Sequence, residues 1–579
     1  MLKLSKIRHW YVVRAKQRIW ALWLKIRGGS FKWEMGDWEK RMLQDAVKKN
    51  FNPCVNLVNS FAKGGQYEIK LTYEDDDKKQ VTKPCLLEID KVREGVPAFK
   101  IISGERLTLK SVKYKGSYGL KGEINFNDGA KKFTFDADAI QEFRSNFPSL
   151  PVVLRGKMPH LRSDQPEPEL AYRRLIIQVE DTDMIYPSDI LEFGENHMTF
   201  DNPAWDRQSS LMGLPFVSTK GMFTVVAVGE MNFHFYALEP MNCFVIDSLQ
   251  VMAKQSFFKL TDAIRLGFAF LAGKYYRDDT IYFSSASSDF STVSNFEFVH
   301  EGRSLLSENQ LLRHDAFFER FRDMPAEQQE ELEEYHTMFP ADVFSKLVSE
   351  IYESVEFKRV IELVVNSSTT DDSVQKGAMC AVALETITEY VKESKGESLK
   401  PIKDNAQATA FRDSLLGELD KIRNSLSGEE ATILEKKIDN INSPTNRDKL
   451  IKPFALAGIT LNADDINALD QRNKYLHGDE PEDTSLDVPL HLHSLIAKLA
   501  LKQVGYSGHF VNLHIWRLLH ESSALIKRFN VNEAHPLFLK IQQGDFSGID
   551  DIEQAKRLIE DYTQFLQLAL KLDKLIEII

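Results

Sequence analysis

The sequence lacks the features that mark membrane-spanning and zinc-binding proteins. No apolar stretch reaches the roughly 18 uninterrupted residues that a spanning helix needs, so no such helix is expected. The cysteines are scattered, with neither a C-x-x-C pair nor histidines at metal-ligand spacing, and they are Cys54, Cys85, Cys243 and Cys380. This distribution predicts reduced thiols in a cytoplasmic protein, without a bound metal.

Several motifs of common enzyme classes are also missing. The sequence has no Walker A loop, no G-x-G-x-x-G fingerprint and no G-x-S-x-G elbow. The motif-based cases for an NTPase, a dinucleotide oxidoreductase and an α/β-hydrolase therefore fall away, and no cofactor is expected. The formal net charge of −12 disfavours general affinity for nucleic acid. We expect no DNA partner, and any contact with RNA must come from local basic patches.

What is present favours an α+β protein with more than one domain. The chain has 579 residues, 43% of them hydrophobic, which is enough for two or three cores. We predict four segments, and their boundaries are 1–33 for a basic, Trp-rich segment, 34–303 for a β-rich recognition or sensor domain, 304–344 for a helical connector and 345–579 for an all-α domain.

The basic segment 1–33 differs from the rest of the chain. It contains lysines, arginines and tryptophans but no acidic residue. A helix of this composition can lie on an anionic membrane surface, follow a phosphate backbone or pack against the protein body. All three uses remain open. If the segment lies on a membrane surface, the cytoplasmic protein would also have a peripheral membrane contact.

The segment 34–303 carries strand signals. Residues 67–73 and 223–228 are rich in aromatic and β-branched residues, and Asn127-Asp128-Gly129 separates two further apolar-alternating runs as a hairpin turn. Many short strands favour a sandwich-like β fold, interrupted by one helix over residues 260–272.

Beyond residue 303 the apolar period becomes helical. It predicts helices over 304–321 and 326–335, and a last helix whose buried seam consists of Ala555, Leu558, Tyr562, Phe565, Ala569, Leu572 and Ile576. The bundle formed by these helices is expected to hold the chemistry.

One segment, residues 461–483, carries a catalytic pattern. Its helix is predicted to start at Asp464 and Asp465 and to end at Gly478, with Arg472, Asn473 and His477 in its second half. RNA supplies its own nucleophile, the 2′-hydroxyl, so a catalyst needs a proton-transfer group and a cation for the developing phosphorane charge. Histidine and arginine provide both without a metal.

The helix geometry constrains this pattern. At roughly 100° per residue, Asn473 and His477 project about 40° apart, whereas Arg472 and His477 diverge by about 140°. Either the helix ends before His477, or a second copy supplies the missing half of the site. A purely structural alternative has Arg472 pairing with Asp470 or Asp479 while His477 satisfies the helix C-terminus.

The Arg472-Asn473-x3-His477 pattern resembles the signature of the HEPN superfamily, which consists largely of helical RNases. The resemblance covers roughly residues 345–579 and includes the helix 495–501 with the turn 505–508. It implies that Glu385, on the helix 378–391, supports the site. Residues 263–273 resemble the β-rich half of ApeA-type abortive-infection proteins.

The resemblance implies a metal-independent endoribonuclease toxin of anti-phage defence. Its substrate would be tRNA or mRNA. It would form a homodimer whose two motifs meet in one cleft, and a trigger derived from the phage would activate it. Two other functions stay open at this point: a non-catalytic HEPN module that binds nucleotide or RNA, and an effector that acts on membranes through residues 1–33.

Overall fold

The computed structural model describes the larger part of residues 65–514 and little outside it. The described ranges are 65–74, 79–90, 98–103, 118–126, 129–143, 152–179, 191–193, 198–200, 208–209, 223–238, 243–277, 279–288, 290, 293–302, 304–307, 311, 339–396, 398–478, 488–514, 517 and 576–578. The predictions for residues 1–33, 326–335 and 555–572 and for Asp479 lie outside them. No helix within these ranges is long and apolar enough to cross a membrane.

The first half of the described chain is a β-rich region. Its strands are β1 (Gly65–Glu74), β2 (Gln80–Asp90), β3 (Ala98–Ser103), β4 (Tyr118–Phe126), β5 (Gly129–Phe143), β6 (Val152–Ser163), β7 (Tyr172–Gln178), β8 (Leu191–Phe193), β9 (Met198–Phe200), β10 (Gln208–Ser209), β11 (Phe223–Val228), β12 (Met231–Leu238), β13 (Cys243–Ser248), β14 (Lys274–Tyr275), β15 (Asp279–Ser285), β16 (Asn295–His300) and β17 (Leu305–Leu306). The strand predictions at 67–73 and 223–228 are confirmed.

Twelve of these strands form one continuous antiparallel sheet. Their order is β11-β12-β13-β7-β15-β16-β6-β3-β2-β1-β4-β5, and β5 also pairs with β6. The extra pairing closes six strands, from β6 through β3, β2, β1, β4 and β5, into a ring. The β-rich prediction is confirmed, but these twelve strands form a single sheet that closes on itself at one end and do not form the two packed sheets of a sandwich.

The two strands of the predicted hairpin and their antiparallel pairing are confirmed. Strands β4 and β5 pair antiparallel from Tyr118↔Ala137 to Phe126↔Gly129. Asn127 and Asp128, which connect them, lie outside the described residues.

Helix α1 (Lys254–Ala272) covers one face of the sheet, and it begins six residues before the predicted 260–272. Its ring Phe268 meets Phe235 of β12 edge-on, with centroids 5.7 Å apart, and Phe257 lies 6.3 Å from Phe233. Aromatic contacts of this kind add to the area that they bury. The sheet and α1 consequently share one apolar core.

The second half of the described chain is helical. Its helices are α2 (Ala341–Glu353), α3 (Val355–Ser367), α4 (Ser373–Lys395), α5 (Asn405–Ile422), α6 (Gly428–Asp439), α7 (Asn446–Leu456), α8 (Ala463–Leu476) and α9 (Val488–Gln503), followed by the strands β18 (His509–Val511) and β19 (Ile576–Ile578). Helix α4 lies at the centre, in contact with α3, α7, α8 and α9. The helices predicted over 378–391 and 495–501 are confirmed within α4 and α9.

The two halves are packed together. In α2, Ser345 accepts a hydrogen bond through its hydroxyl oxygen from the backbone N–H of Ala227 in β11, at 3.1 Å. A single cluster of buried apolar side chains contains residues of the sheet, of α1 and of helices α2–α4 and α7–α9. The apolar core thus includes residues from both sides of the predicted connector, 304–344. The exact domain boundaries stay predictions.

Two helix predictions are wrong where the structure describes them. Leu305 and Leu306, expected at the start of a helix over 304–321, form β17 and pair with Tyr275 and Lys274. Ile576, expected on a helical seam, lies in β19 and pairs with Val511. In both places a strand pairing between distant segments outweighs the local helical pattern.

Candidate functional site

Helix α8 carries the predicted catalytic residues. Asn462 is its N-cap: the Asn462 side chain accepts from the backbone N–H of Asp465, and the Asp465 carboxylate accepts from that of Asn462, both at 2.9 Å. This reciprocal capping box fixes the start of the helix. The helix ends at Leu476, with Gly478 at a φ of +83°, a value that favours glycine. The predicted helix boundaries are confirmed.

His477 is the C-cap residue of α8. Its backbone N–H donates to the carbonyl oxygens of Asn473 and Lys474, and its side chain is exposed. Of the two geometries that the sequence left open, the structure has the helix ending before His477. Asn473, one turn earlier, is exposed as well. Asn473 and His477 therefore present a polar patch to solvent.

Arg472 points the other way, into the protein. The residue is 7% exposed, and its Nη1 donates to the carbonyl oxygen of Leu469 at 2.9 Å. Its Nε lies 3.6 Å from Oε1 of Glu385 on α4. Burial lowers the pKa of the Arg472 guanidinium, against the attraction of Glu385 and Asp470. The structure brings Arg472 together with Glu385 and turns it away from the exposed Asn473 and His477.

The ion pair between Arg472 and Glu385 is loose. The Arg472 Nε is buried and has no hydrogen-bond partner among the described residues, because 3.6 Å exceeds a good hydrogen-bond length. Glu385 is half-exposed and can be solvated without its partner. Asp470, the partner offered by the structural alternative, lies instead 3.7 Å from Arg447. The Arg472 guanidinium therefore has no close anionic partner among the described residues.

The close packing of α4 on α8 depends on one glycine. A Cβ atom added to Gly377 would lie 2.2 Å from the ring of Tyr475, a distance that no side chain can occupy. Tyr475 is buried three residues after Arg472. Gly377 therefore sets the approach of the two helices that carry Glu385 and Arg472.

A buried polar pair beneath α8 is a feature that sequence reasoning missed. His491 of α9 and Asp465 share a hydrogen bond of 2.6 Å, and both are buried. Burial opposes ionisation of Asp465, but the hydrogen bonds from His491 and from the backbone of Asn462 outweigh it and hold the Asp465 pKa below its ordinary value. The Asn462-x-x-Asp465 spacing signals a helix cap, yet it does not reveal the second partner.

A second histidine of α9, His493, is fully buried beside α3. Its Nδ1 lies 3.5 Å from the hydroxyl of Ser368, and its Nε2 has no hydrogen-bond partner in the described ranges. Burial, together with the nearby Lys376, lowers the His493 pKa to about 3. The imidazole is therefore neutral at physiological pH and cannot serve there as a general acid.

Among the described residues, no three or more histidine, cysteine, aspartate or glutamate side chains are grouped so that they could hold a metal ion. His160, which follows Arg155 in another Arg-x4-His pair, lies in β6 and forms a hydrogen bond of 2.7 Å with Glu297.

Comparisons of this chain with protein-family models, curated proteins and solved structures give no match.

Proposed function

We propose that the protein is a metal-independent endoribonuclease whose helical region is a HEPN-type bundle. The observation that carries the proposal is the position of His477, exposed at the end of α8 with Asn473 one turn before it, while Arg472 is held against Glu385 on the neighbouring helix. An exposed histidine and a loosely paired arginine on one short segment supply the two groups that cleavage of RNA requires.

The reaction balances with these groups alone. The 2′-oxygen of a ribose attacks the adjacent phosphorus and gives up its proton to one neutral imidazole, while the bond from phosphorus to the 5′-oxygen breaks and that oxygen takes a proton from a second, protonated imidazole. The products are a 2′,3′-cyclic phosphate and a 5′-hydroxyl. Arg472, released from Glu385, stabilises the charge on the non-bridging oxygens, and Asn473 orients the phosphate.

A homodimer fits this reaction. One step requires a base and the other an acid, and each α8 offers one exposed histidine, His477. Two copies with facing α8 helices would supply both imidazoles. The role in anti-phage defence, the tRNA or mRNA substrate and a phage-derived trigger for the β-rich region form part of the same proposal and rest on the family resemblance.

The test is cleavage of RNA by the purified full-length chain. Wild type, His477→Ala and a matched exposed variant, Lys346→Ala on α2, are incubated with total tRNA and with mRNA in EDTA, and the fragment ends are analysed chemically. We expect cyclic-phosphate ends from wild type and Lys346→Ala, and a loss of about 10²-fold or more for His477→Ala. Equal cleavage by His477→Ala, or cleavage that EDTA abolishes, would refute the mechanism.

The burial of Arg472 favours a second candidate, a non-catalytic HEPN module that binds nucleotide or RNA. An arginine residue that is 7% exposed, with its side chain bonded to the Leu469 carbonyl, can shape a binding surface without meeting a phosphate. This candidate predicts that RNA binds to wild type and is recovered intact, with binding weakened in Asn473→Ala. Fluorescence anisotropy with labelled RNA, followed by gel analysis of the same sample, separates the two candidates.

A further inference from the structure

A small cavity lies where the β-rich region and the helical region meet. Phe270 and Gly273 of α1 and Leu305 of β17 line it from the side of the sheet, and Val365 of α3 and His493 of α9 line it from the side of the helices. The centre of a water molecule can occupy about 10 Å³ of this space. Since roughly 10–15 Å³ is needed to hold one water, the cavity has the size of a water site and not that of a site for a larger organic molecule.

His493 brings an unsatisfied polar atom to this cavity. The residue is 3% exposed, and its Nε2 is buried without a hydrogen-bond partner among the described residues. A buried nitrogen that makes no hydrogen bond costs free energy, because it has lost its hydration without replacement. Protein interiors commonly satisfy such an atom with an ordered water where there is room for one.

The contact with Ser368 determines which kind of partner Nε2 needs. The Ser368 hydroxyl donates to the carbonyl oxygen of Val364 at 3.0 Å, so its oxygen is the acceptor in the 3.5 Å contact with Nδ1 of His493. This contact places the imidazole proton on Nδ1. Burial lowers the His493 pKa to about 3, so the ring is neutral at physiological pH and carries one N–H. Nε2 is therefore an acceptor, and its partner must be a donor.

The neighbouring hydroxyl groups select the same kind of partner. The Thr369 hydroxyl donates to the carbonyl oxygen of Asn366 at 2.9 Å, so its hydrogen, like that of Ser368, is already engaged. Both oxygens keep lone pairs that can accept. These groups offer an anion no donor, and the nearby Lys376 disfavours positive charge at His493. A small neutral molecule with two hydrogens to donate fits this set of acceptors.

We propose that the cavity binds a single water molecule, which donates one hydrogen to Nε2 of His493 and the other to the hydroxyl oxygen of Ser368 or Thr369. The water joins α9 to the end of α3 at the junction of the two regions. The site includes no residue of α8 and does not depend on the proposed nuclease activity.

The test counts the long-lived waters of the full-length chain in solution by magnetic relaxation dispersion of water ¹⁷O. His493→Leu removes the acceptor, so we expect the number of long-lived waters to fall by about one. His493→Gln, whose amide oxygen can accept, should keep the wild-type number. Gly417→Ala on α5, where the added methyl group meets no atom within 4 Å, is the control and should keep it as well.

A crystal structure of the wild type gives a second measurement that does not depend on how the variants fold. It should show one water at about 2.7–3.2 Å from Nε2 of His493. Two outcomes would overturn the inference: a crystal structure that shows other buried waters but none at Nε2, and an unchanged number of long-lived waters in a His493→Leu protein with the wild-type circular dichroism spectrum. RNA cleavage tests the role of His477 separately.

Discussion

Both the β-rich region and the helical region bury arginine residues, and Arg174 and Arg472 are bound in different ways. In the sheet, Arg174 is 0% exposed and binds Asp247 through two hydrogen bonds of 2.6 and 2.8 Å. Tyr236 donates to the same carboxylate at 2.9 Å, and the ring of Phe290 stacks 4.0 Å from the Arg174 guanidinium. In α8, Arg472 has one hydrogen bond to a backbone carbonyl and a carboxylate 3.6 Å away.

The tight pairing of Arg174 indicates a structural role, which the loose pairing of Arg472 does not. A buried charge is tolerated when close, bidentate bonds replace its lost hydration, and removing one member of such a pair is costly. Arg472 and half-exposed Glu385 lack such close, bidentate bonds, since the Arg472 Nε lies 3.6 Å from the Glu385 carboxylate. The comparison assigns Arg174 to the stability of the fold and leaves Arg472 to the proposed chemistry.

The largest effect is expected from breaking the tight pair. Arg174→Ala leaves the Asp247 carboxylate buried without its cation, so we expect the free energy of unfolding to fall by about 3–5 kcal/mol in urea denaturation. The double variant Arg174→Leu/Asp247→Leu should recover most of this loss, because it removes both charges. The exposed Lys346→Ala is the control, and a loss no larger for Arg174→Ala than for this control would erase the contrast between the two regions.

The next largest effect is expected from Gly377→Ala, because the packing of α4 on α8 positions Glu385 and Arg472. In Gly377→Ala the new methyl group meets the Tyr475 ring, so α4 and α8 must move apart, and overpacking of this kind costs about 1–3 kcal/mol. Gly417→Ala on α5 meets no atom within 4 Å and should instead stabilise the protein by about 0.5–1 kcal/mol. Thermal unfolding of both variants checks the packing, and equal melting temperatures would contradict it.

The neutral histidine of α9 adds a pH-dependent contrast. Because the His493 pKa is about 3 in the folded protein and about 6.5 in an unfolded chain, the unfolded state binds the extra proton between these values. Stability is therefore full above pH 6.5 and falls as the pH drops, by at most about 1.4 kcal/mol per unit. His493→Leu should flatten this slope in urea titrations from pH 7 to 5. Gly417→Ala, which changes no titrating group, should keep it.

Local signals in the sequence predicted the local structure well. The run Phe223–Val228 is β-branched and bounded by turn residues, and it is a strand. The ends of α8 followed from Asp465 near its cap and Gly478 beyond its last turn, which act within one turn of the chain. In each case the residues that decide the structure are neighbours in sequence.

What could not be predicted depends on contacts between distant segments. The ring closure by β5 and β6 is decided by the three-dimensional path of the sheet, and Leu305–Leu306 became a strand because Lys274–Tyr275 pairs with it. Helical periodicity gives the angle between Arg472 and His477, but it does not say which of them faces the core. That choice follows from how α8 packs on α4.

Of the substitutions Arg174→Ala, Gly377→Ala and Arg472→Ala, the last is expected to lower the stability least. Arg472→Ala removes one hydrogen bond to Leu469 and leaves Glu385 half-exposed and able to be solvated, so the free energy of unfolding should fall by about 1 kcal/mol. If Arg472 meets the phosphorane, the same variant loses about 10²–10³-fold in RNA cleavage. Glu385→Gln, which weakens the pair while keeping the shape, should be as stable as wild type. A loss of stability in Arg472→Ala as large as that in Arg174→Ala would indicate a structural role for Arg472, because only the removal of a tightly paired buried charge is so costly.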